Sequence, residues 1–166
     1  MPDIGNYTAE DLHHLRRCVE LAAEALADGD RPFGSLLVDG DGKRRAEDRN
    51  REISAGDPLR HPEIELARWA LRNLSATERA ETTMYTSGEH CPMCSGANAL
   101  AGIGRIIFAS SSAQLTNWLT EWGKAMPPFQ ALPITDVAPG IQTVGPIPEL
   151  ADQMADLHRK TPWPDA

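Results

Sequence analysis

The sequence predicts an α/β sandwich built on a mixed sheet. Two observations carry that expectation: a strand hairpin early in the chain, and an alternation of helical and strand-length apolar patterns after it. A third is size, since 166 residues suffice for one ordinary domain with a buried core.

Taken in order, Thr8 with Asp11 three positions later is placed to cap a first helix. Leu12, Leu15, Val19, Ala22, Ala23 and Leu26 then recur at helical spacing until Gly29 ends the pattern. Phe33 to Val38 is an apolar run of strand length, and Asp39-Gly40-Asp41-Gly42 supplies the turn that follows. Lys43 to Arg49 completes the hairpin as a more polar strand. Pro58 and Pro62 bracket a loop, and Pro62 to Leu74 reads as a helix. Thr82 to Thr86 reads as a strand, Cys91 to Ala101 as a second core helix and Arg105 to Ala109 as a buried strand. Helices are expected over Ala113 to Trp122 and Glu149 to Arg159. Between Pro127 and Pro148 the density of Pro and Gly leaves the secondary structure open. No repeat, low-complexity tract or linker divides the chain, so residues 1–166 are expected to form a single domain.

Hydrophobic residues make up 41% of the chain and charged residues 24%, the balance of a soluble globular protein. No apolar run approaches the ~20 residues that a membrane span needs. Met1 to Asn6 has neither the basic start nor the apolar stretch of a secretory leader, so a cytoplasmic location is expected. The formal charge of −8 argues against a partner made of phosphates, because such affinity comes from clustered Lys and Arg. Lys43, Arg44, Arg45, Arg49 and Arg51 are interrupted by Glu47, Asp48 and Glu52, and read as the solvated edge of a strand.

Two short segments carry chemistry: His61-Pro62-Glu63 and Cys91-Pro92-Met93-Cys94. In each, a potential metal ligand precedes a proline that opens a predicted helix, which puts His61 and Cys91 at cap-like positions. Cys94 follows on the first turn of the same helix. One imidazole and two thiolates make a three-ligand zinc set whose fourth position is open to water. Zinc lowers the pKa of such a water to about 7, and a carboxylate that is not a ligand can then move its proton. Glu63 is placed for that role. Alone, the C-x-x-C reads equally as a redox pair or as two buried cysteines at a helix start. His90 is the nearby candidate for a fourth protein ligand, but its adjacency to Cys91 hinders it from turning onto the same ion. Together, some thirty residues apart, the two segments match the recognised signature of zinc deaminases.

By these residues the sequence resembles the cytidine and deoxycytidylate deaminase superfamily, nearest the branch of bacterial guanine deaminases, tRNA adenosine deaminases and fungal-type cytosine deaminase. The resemblance runs from about Pro32 to Ala109. It includes Pro32-Phe33-Gly34, Asn50, Gly56-Asp57-Pro58 and Met84-Tyr85-Thr86-Ser87-Gly88-Glu89, and ends in Cys91-Pro92-Met93-Cys94-Ser95-Gly96-Ala97. It implies a three-layer α/β/α cytidine-deaminase-like sandwich with a mixed five-stranded sheet, one Zn2+ per chain with water or hydroxide as fourth ligand, and a homodimer. It also implies roles. His61, Cys91 and Cys94 would hold the metal, Glu63 would shuttle protons, and the Cys91 peptide N–H would hold the metal-bound oxygen. Asn50 would hydrogen-bond the base, while the backbone around Phe33, Gly34 and Ser35 would line the pocket.

The sequence departs from the family at two places. Pro62 stands where Ala is usual, which suits a helix start. His90 stands where Pro is usual, and reads either as an exposed turn residue or as a substrate contact that alters specificity. The expected reaction is hydrolytic deamination of a free purine base such as guanine, with cytosine or cytidine next and tRNA adenosine after them. The competing class is a zinc-stabilised interaction domain, which would have no use for Glu63 or an open ligand position. Trp118 and Trp122, four apart, read as helix packing rather than as a cover for a base.

Overall fold

The computed structural model describes residues 6–166. The absence of a leader read from the first residues concerns positions that lie mostly outside that range. Helix α1 (Ala9–Ala27) starts as the sequence suggests: Asp11 N donates to Thr8 Oγ1 at 3.1 Å, and Thr8 N donates to Asp11 Oδ2 at 2.8 Å. Asp11 is nearly buried and also accepts the Tyr85 hydroxyl at 2.6 Å, which ties the helix start to the sheet. Burial opposes its ionisation. The bonds from Tyr85 and Thr8, with Arg105 at 3.8 Å, nevertheless hold its carboxyl below the usual value of 3.8. Asp11→Ala is therefore expected to destabilise the fold by about 2–3 kcal/mol in urea unfolding at neutral pH. A lowered folded-state pKa makes this contribution present above the unfolded value and lost as pH falls through the folded one. The difference between mutant and wild type should therefore close below about pH 3.8. A constant difference from pH 7 downward would assign the effect to packing.

Five strands follow the order β2-β1-β3-β4-β5. Strand β1 (Gly34–Val38) pairs antiparallel with β2 (Arg44–Arg49) through the Asp39–Gly42 turn, and on its other side antiparallel with β3 (Thr83–Gly88). Strands β3, β4 (Arg105–Ser110) and β5 (Gln142–Val144) are parallel, so the sheet is mixed. Helices α2 (Pro62–Asn73), α3 (Ala76–Glu81), α4 (Pro92–Ala101), α5 (Ser112–Glu121), α6 (Ile134–Val137) and α7 (Pro148–Lys160) complete the chain.

Because side chains alternate across a strand, each central strand feeds two cores. Leu36, Tyr85 and Ile107 point to one face and pack with Leu15 and Val19 of α1 and Leu150 and Met154 of α7. Leu37, Met84 and Ile106 point to the other, against Leu66 and Ala70 of α2, Ala101 of α4 and Ile134 of α6. Helices thus cover both faces, giving the expected three-layer sandwich. Strand β2 is the polar edge, and its cations are paired: Arg45 with Asp39, Arg49 with Glu24 and Asp28, and Arg44 with Glu47. The solvated-edge reading of that segment holds.

Three elements lie beyond the sequence expectation. Helix α3 is one short turn and a half, started by a reciprocal cap between Ser75 and Glu78. Helix α6 and strand β5 occupy the segment left open. Each is only three or four residues long, too short to leave a periodic trace.

Candidate active site

The loop after β2 delivers His61 to the start of α2, and the end of β3 delivers Cys91 to the start of α4. Both are extended N-cap residues followed by a proline at the first helical position, as Pro62 and Pro92 dictate. Their helices lie side by side, and buried Asn98 fastens the two starts together, donating to Cys94 O at 2.9 Å and to Glu63 O at 3.3 Å. The result brings His61 Nδ1 within 3.6 Å of both Cys91 Sγ and Cys94 Sγ, with all three ligand atoms within 4.8 Å of one another.

That spacing fits zinc. With ligand bonds near 2.0 Å to nitrogen and 2.3 Å to sulfur, the N···S edge of a tetrahedron is about 3.6 Å. Electrostatics agree. Contact with Cys94, opposed by burial and helped by His61, draws the Cys91 thiol down to about 4, while contact with Cys91 raises Cys94. Burial works against charge on His61, but contacts with Cys91 and Glu52 raise it to about 10. Without metal, imidazolium thus stands beside the Cys91 thiolate; a bound dication would displace the Nδ1 proton and take over that positive charge.

Glu63 lies beside the cluster, its Oε2 3.8 Å from Cys94 Sγ. It is 4% exposed, and burial pushes its carboxyl up to about 7 against the pull of His61. The Thr86 hydroxyl sits 3.3 Å from Glu63 Oε1 and accepts from the Ser35 hydroxyl at 2.9 Å, so β1 and β3 hold the carboxylate from behind.

His61, Glu63 and Cys91 face a cavity of about 670 Å³. Its walls come from Phe33, from Leu115 and Leu119 of α5, from Met126 and Phe129, and from Trp163 near the C-terminus. Trp163 is fixed there by its indole N–H on His158 O at 3.0 Å and by the Arg31 guanidinium 4.7 Å from its ring centre. The tail beyond it is tied to the loop after α5 by Ala125 N on Pro164 O at 2.8 Å and by Lys124 with Asp165 at 2.7 Å. Glu89 ties this wall to the site, accepting from Ser112 N and Ile134 N at 2.9 Å each.

The structure brings together the three predicted ligands, Glu63 and Phe33, and places four other predicted residues elsewhere. Gly34 packs against α1: a Cβ there would fall 2.4 Å from Leu21 Cβ and 2.5 Å from Cys18 O. Ser35 is fully buried under Thr86. Asn50 is 1% exposed, and its amide is spent on Glu52, whose N–H and Oε2 it meets at 3.0 and 2.6 Å. Glu52, not Asn50, reaches the cavity wall. His90 is neither an exposed turn residue nor part of that wall. Glu89 N on Ser110 O at 2.8 Å pins the turn inward, and burial holds the His90 imidazole neutral, its pKa down to about 3. Trp118 packs on His158, 5.9 Å between ring centres, in keeping with the packing reading.

Residues 8–110 match the family described as the cytidine and deoxycytidylate deaminase zinc-binding region. The chain belongs to that family. It is 33% identical over 120 residues to a probable cytosine deaminase of Schizosaccharomyces pombe, a match covering 71% of each chain. It is 40% identical over 84 residues to a guanine deaminase of Bacillus subtilis, covering 50% of this chain and 53% of that one. It is 35% identical over 97 residues to a tRNA-specific adenosine deaminase of Haemophilus influenzae, covering 58% and 56%. The chain thus spans little more than half the length of these last two relatives. A guanine deaminase structure from Nitrosomonas europaea covers 97% of this chain at a TM-score of 0.67 and 21% identity, a likeness of fold that extends into the segment left open by the sequence. These relatives are deaminases, enzymes that hydrolyse C–N bonds, and the matching family region is a zinc-binding one.

Proposed function

We propose that this protein is a zinc-dependent hydrolytic deaminase of a free nucleobase or related amino-heterocycle, a purine such as guanine first among them. The observation that carries the proposal is the shared cavity: His61 and Cys91 line it together with Glu63, a buried carboxylate outside the cluster of ligand atoms. A domain needing zinc only for stability has no use for that arrangement.

His61, Cys91 and Cys94 hold the metal. When bound, zinc supplies Lewis acidity and a nucleophile at neutral pH. Glu63 takes a proton from the attacking water as its oxygen adds to the amine-bearing ring carbon. It passes that proton to the ring nitrogen, then takes the proton of the added hydroxyl and delivers it to the amine, so that the C–N bond breaks and ammonia leaves while the carbon becomes a carbonyl. The Cys91 peptide N–H, at the start of α4, steadies the incoming oxygen. Phe33 offers its ring to the face of a flat substrate, and the apolar side chains of α5, Met126 and Phe129 line the cavity around it. A homodimer is expected from the family resemblance.

A free heterocycle is favoured over a nucleic-acid base by charge. Arg31 stands among three cavity carboxylates, Glu52, Glu63 and Glu89, and the basic strand edge is paired off. Cytosine is the second reading, supported by the longer match to the cytosine deaminase relative. The test is deamination of free guanine and cytosine beside tRNA and single-stranded DNA across a salt series. Activity on a free base that barely responds to salt is expected. Efficient polymer deamination falling steeply with salt would contradict the proposal.

A further inference from the structure

The mechanism above makes no use of Glu52, a carboxylate whose side chain is only 10% exposed at the edge of the cavity. Its two oxygens divide their work. Oε2 accepts from Asn50 Nδ2 at 2.6 Å, while Oε1 faces His61 Nε2 at 3.4 Å and Arg31 Nη1 only at 3.8 Å. The loop that carries it is held independently, because buried Asp30 accepts from Ile53 N and Ser54 N at 2.9 and 2.8 Å and from Ser54 Oγ at 2.6 Å. Asn50 closes a further turn by accepting from Glu52 N at 3.0 Å. Glu52 is thus a fixed acceptor behind the ring of a metal-ligand histidine.

We infer that Glu52 is a positioning residue for His61, holding the proton on Nε2 so that Nδ1 presents its lone pair to the zinc. The chemistry follows from the atoms. A carboxylate accepts and does not donate, so the imidazole nitrogen facing it must carry the hydrogen. In a neutral ring the other nitrogen is then the ligand, and Nδ1 is the atom that lies 3.6 Å from both sulfurs. A carboxylate behind a ligand histidine also raises the basicity of the ring, and losing such a partner typically weakens metal binding by about 10–100-fold. The family resemblance implies a base contact for Asn50. In the structure Asn50 serves Glu52, and Glu52 serves His61.

The inference rests on the zinc site proposed above, and the test separates the two. Zinc affinity of Glu52→Leu, Glu52→Gln and wild type is measured by competition with a chromophoric chelator, beside the melting temperature of each metal-free protein and the cobalt(II) spectrum of each loaded one. Glu52→Leu is expected to bind zinc about 10–100-fold more weakly, with a shifted cobalt spectrum, beyond the modest drop in metal-free melting that follows from leaving Asn50 Nδ2 without its acceptor. Glu52→Gln keeps one acceptor for His61 and should recover part of the loss. Wild-type affinity and an unchanged spectrum in Glu52→Leu would overturn the positioning role and leave the zinc site standing. Failure of the wild-type protein to bind zinc would sink the site itself. If Glu52→Leu does not fold, Glu52→Gln decides: an intermediate affinity supports the role and an unaltered affinity and spectrum refute it.

Discussion

Glu63→Gln is expected to lower the deamination rate by about 10²–10⁴-fold while the protein keeps one zinc per chain. Glutamine preserves the length and planarity of the side chain and can still face the Thr86 hydroxyl, so the packing behind it survives. What it loses is the ability to accept a proton and hand it on. Zinc content should hold because the ligand atoms belong to His61, Cys91 and Cys94, with Glu63 beside them. Zinc per chain and ammonia release are measured on the same sample. A variant that loses its metal would make Glu63 a ligand, and one of near-normal rate would give the proton transfer to another group.

Cys94→Ser should be more drastic, removing both metal and activity. Cys94 is fully buried, and a serine hydroxyl is a poor substitute for thiolate on zinc. Zinc binding by such Cys/His sets is worth on the order of 10 kcal/mol, so the variant should also melt where the metal-free wild type does. Thiol counting gives an independent view. Chelation of the wild type should make Cys91 reactive, its thiol being partly exposed and drawn down, while Cys18 and Cys94 stay silent because both are completely buried with their thiols pushed up. A variant that retained zinc at wild-type affinity would disprove the ligand set.

The metal cluster and the carboxylate beside it were legible because their signal is local. A proline after His61 and another after Cys91 fix two helix starts, and a helix start points its cap residue in a known direction. The sandwich was legible for a similar reason, since Leu36 to Val38, Met84 to Tyr85 and Ile106 to Ala109 are apolar on both faces. The far wall of the cavity was not. Met126, Phe129 and Trp163 reach it through a loop and a tail fixed by single long-range contacts, such as Ala125 with Pro164, which leave no periodicity. The surroundings of the polar residues were not legible either. His90 and Asn50 are types that usually meet solvent or substrate, yet both are buried here. Glu52 looked like one more charge among the arginines of the β2 edge, and only the fold turns it toward His61.

The most direct test of the account is ammonia release by zinc-loaded protein from a panel of free amino-purines, amino-pterins, amino-triazines and amino-pyrimidines, with Glu63→Gln as control. The account predicts multiple turnovers on at least one free heterocycle, guanine foremost, lost on chelation, regained with zinc and abolished in the control. Stoichiometric zinc binding with no ammonia from any member of the panel would contradict it, and would return the chain to the reading of a zinc-stabilised domain.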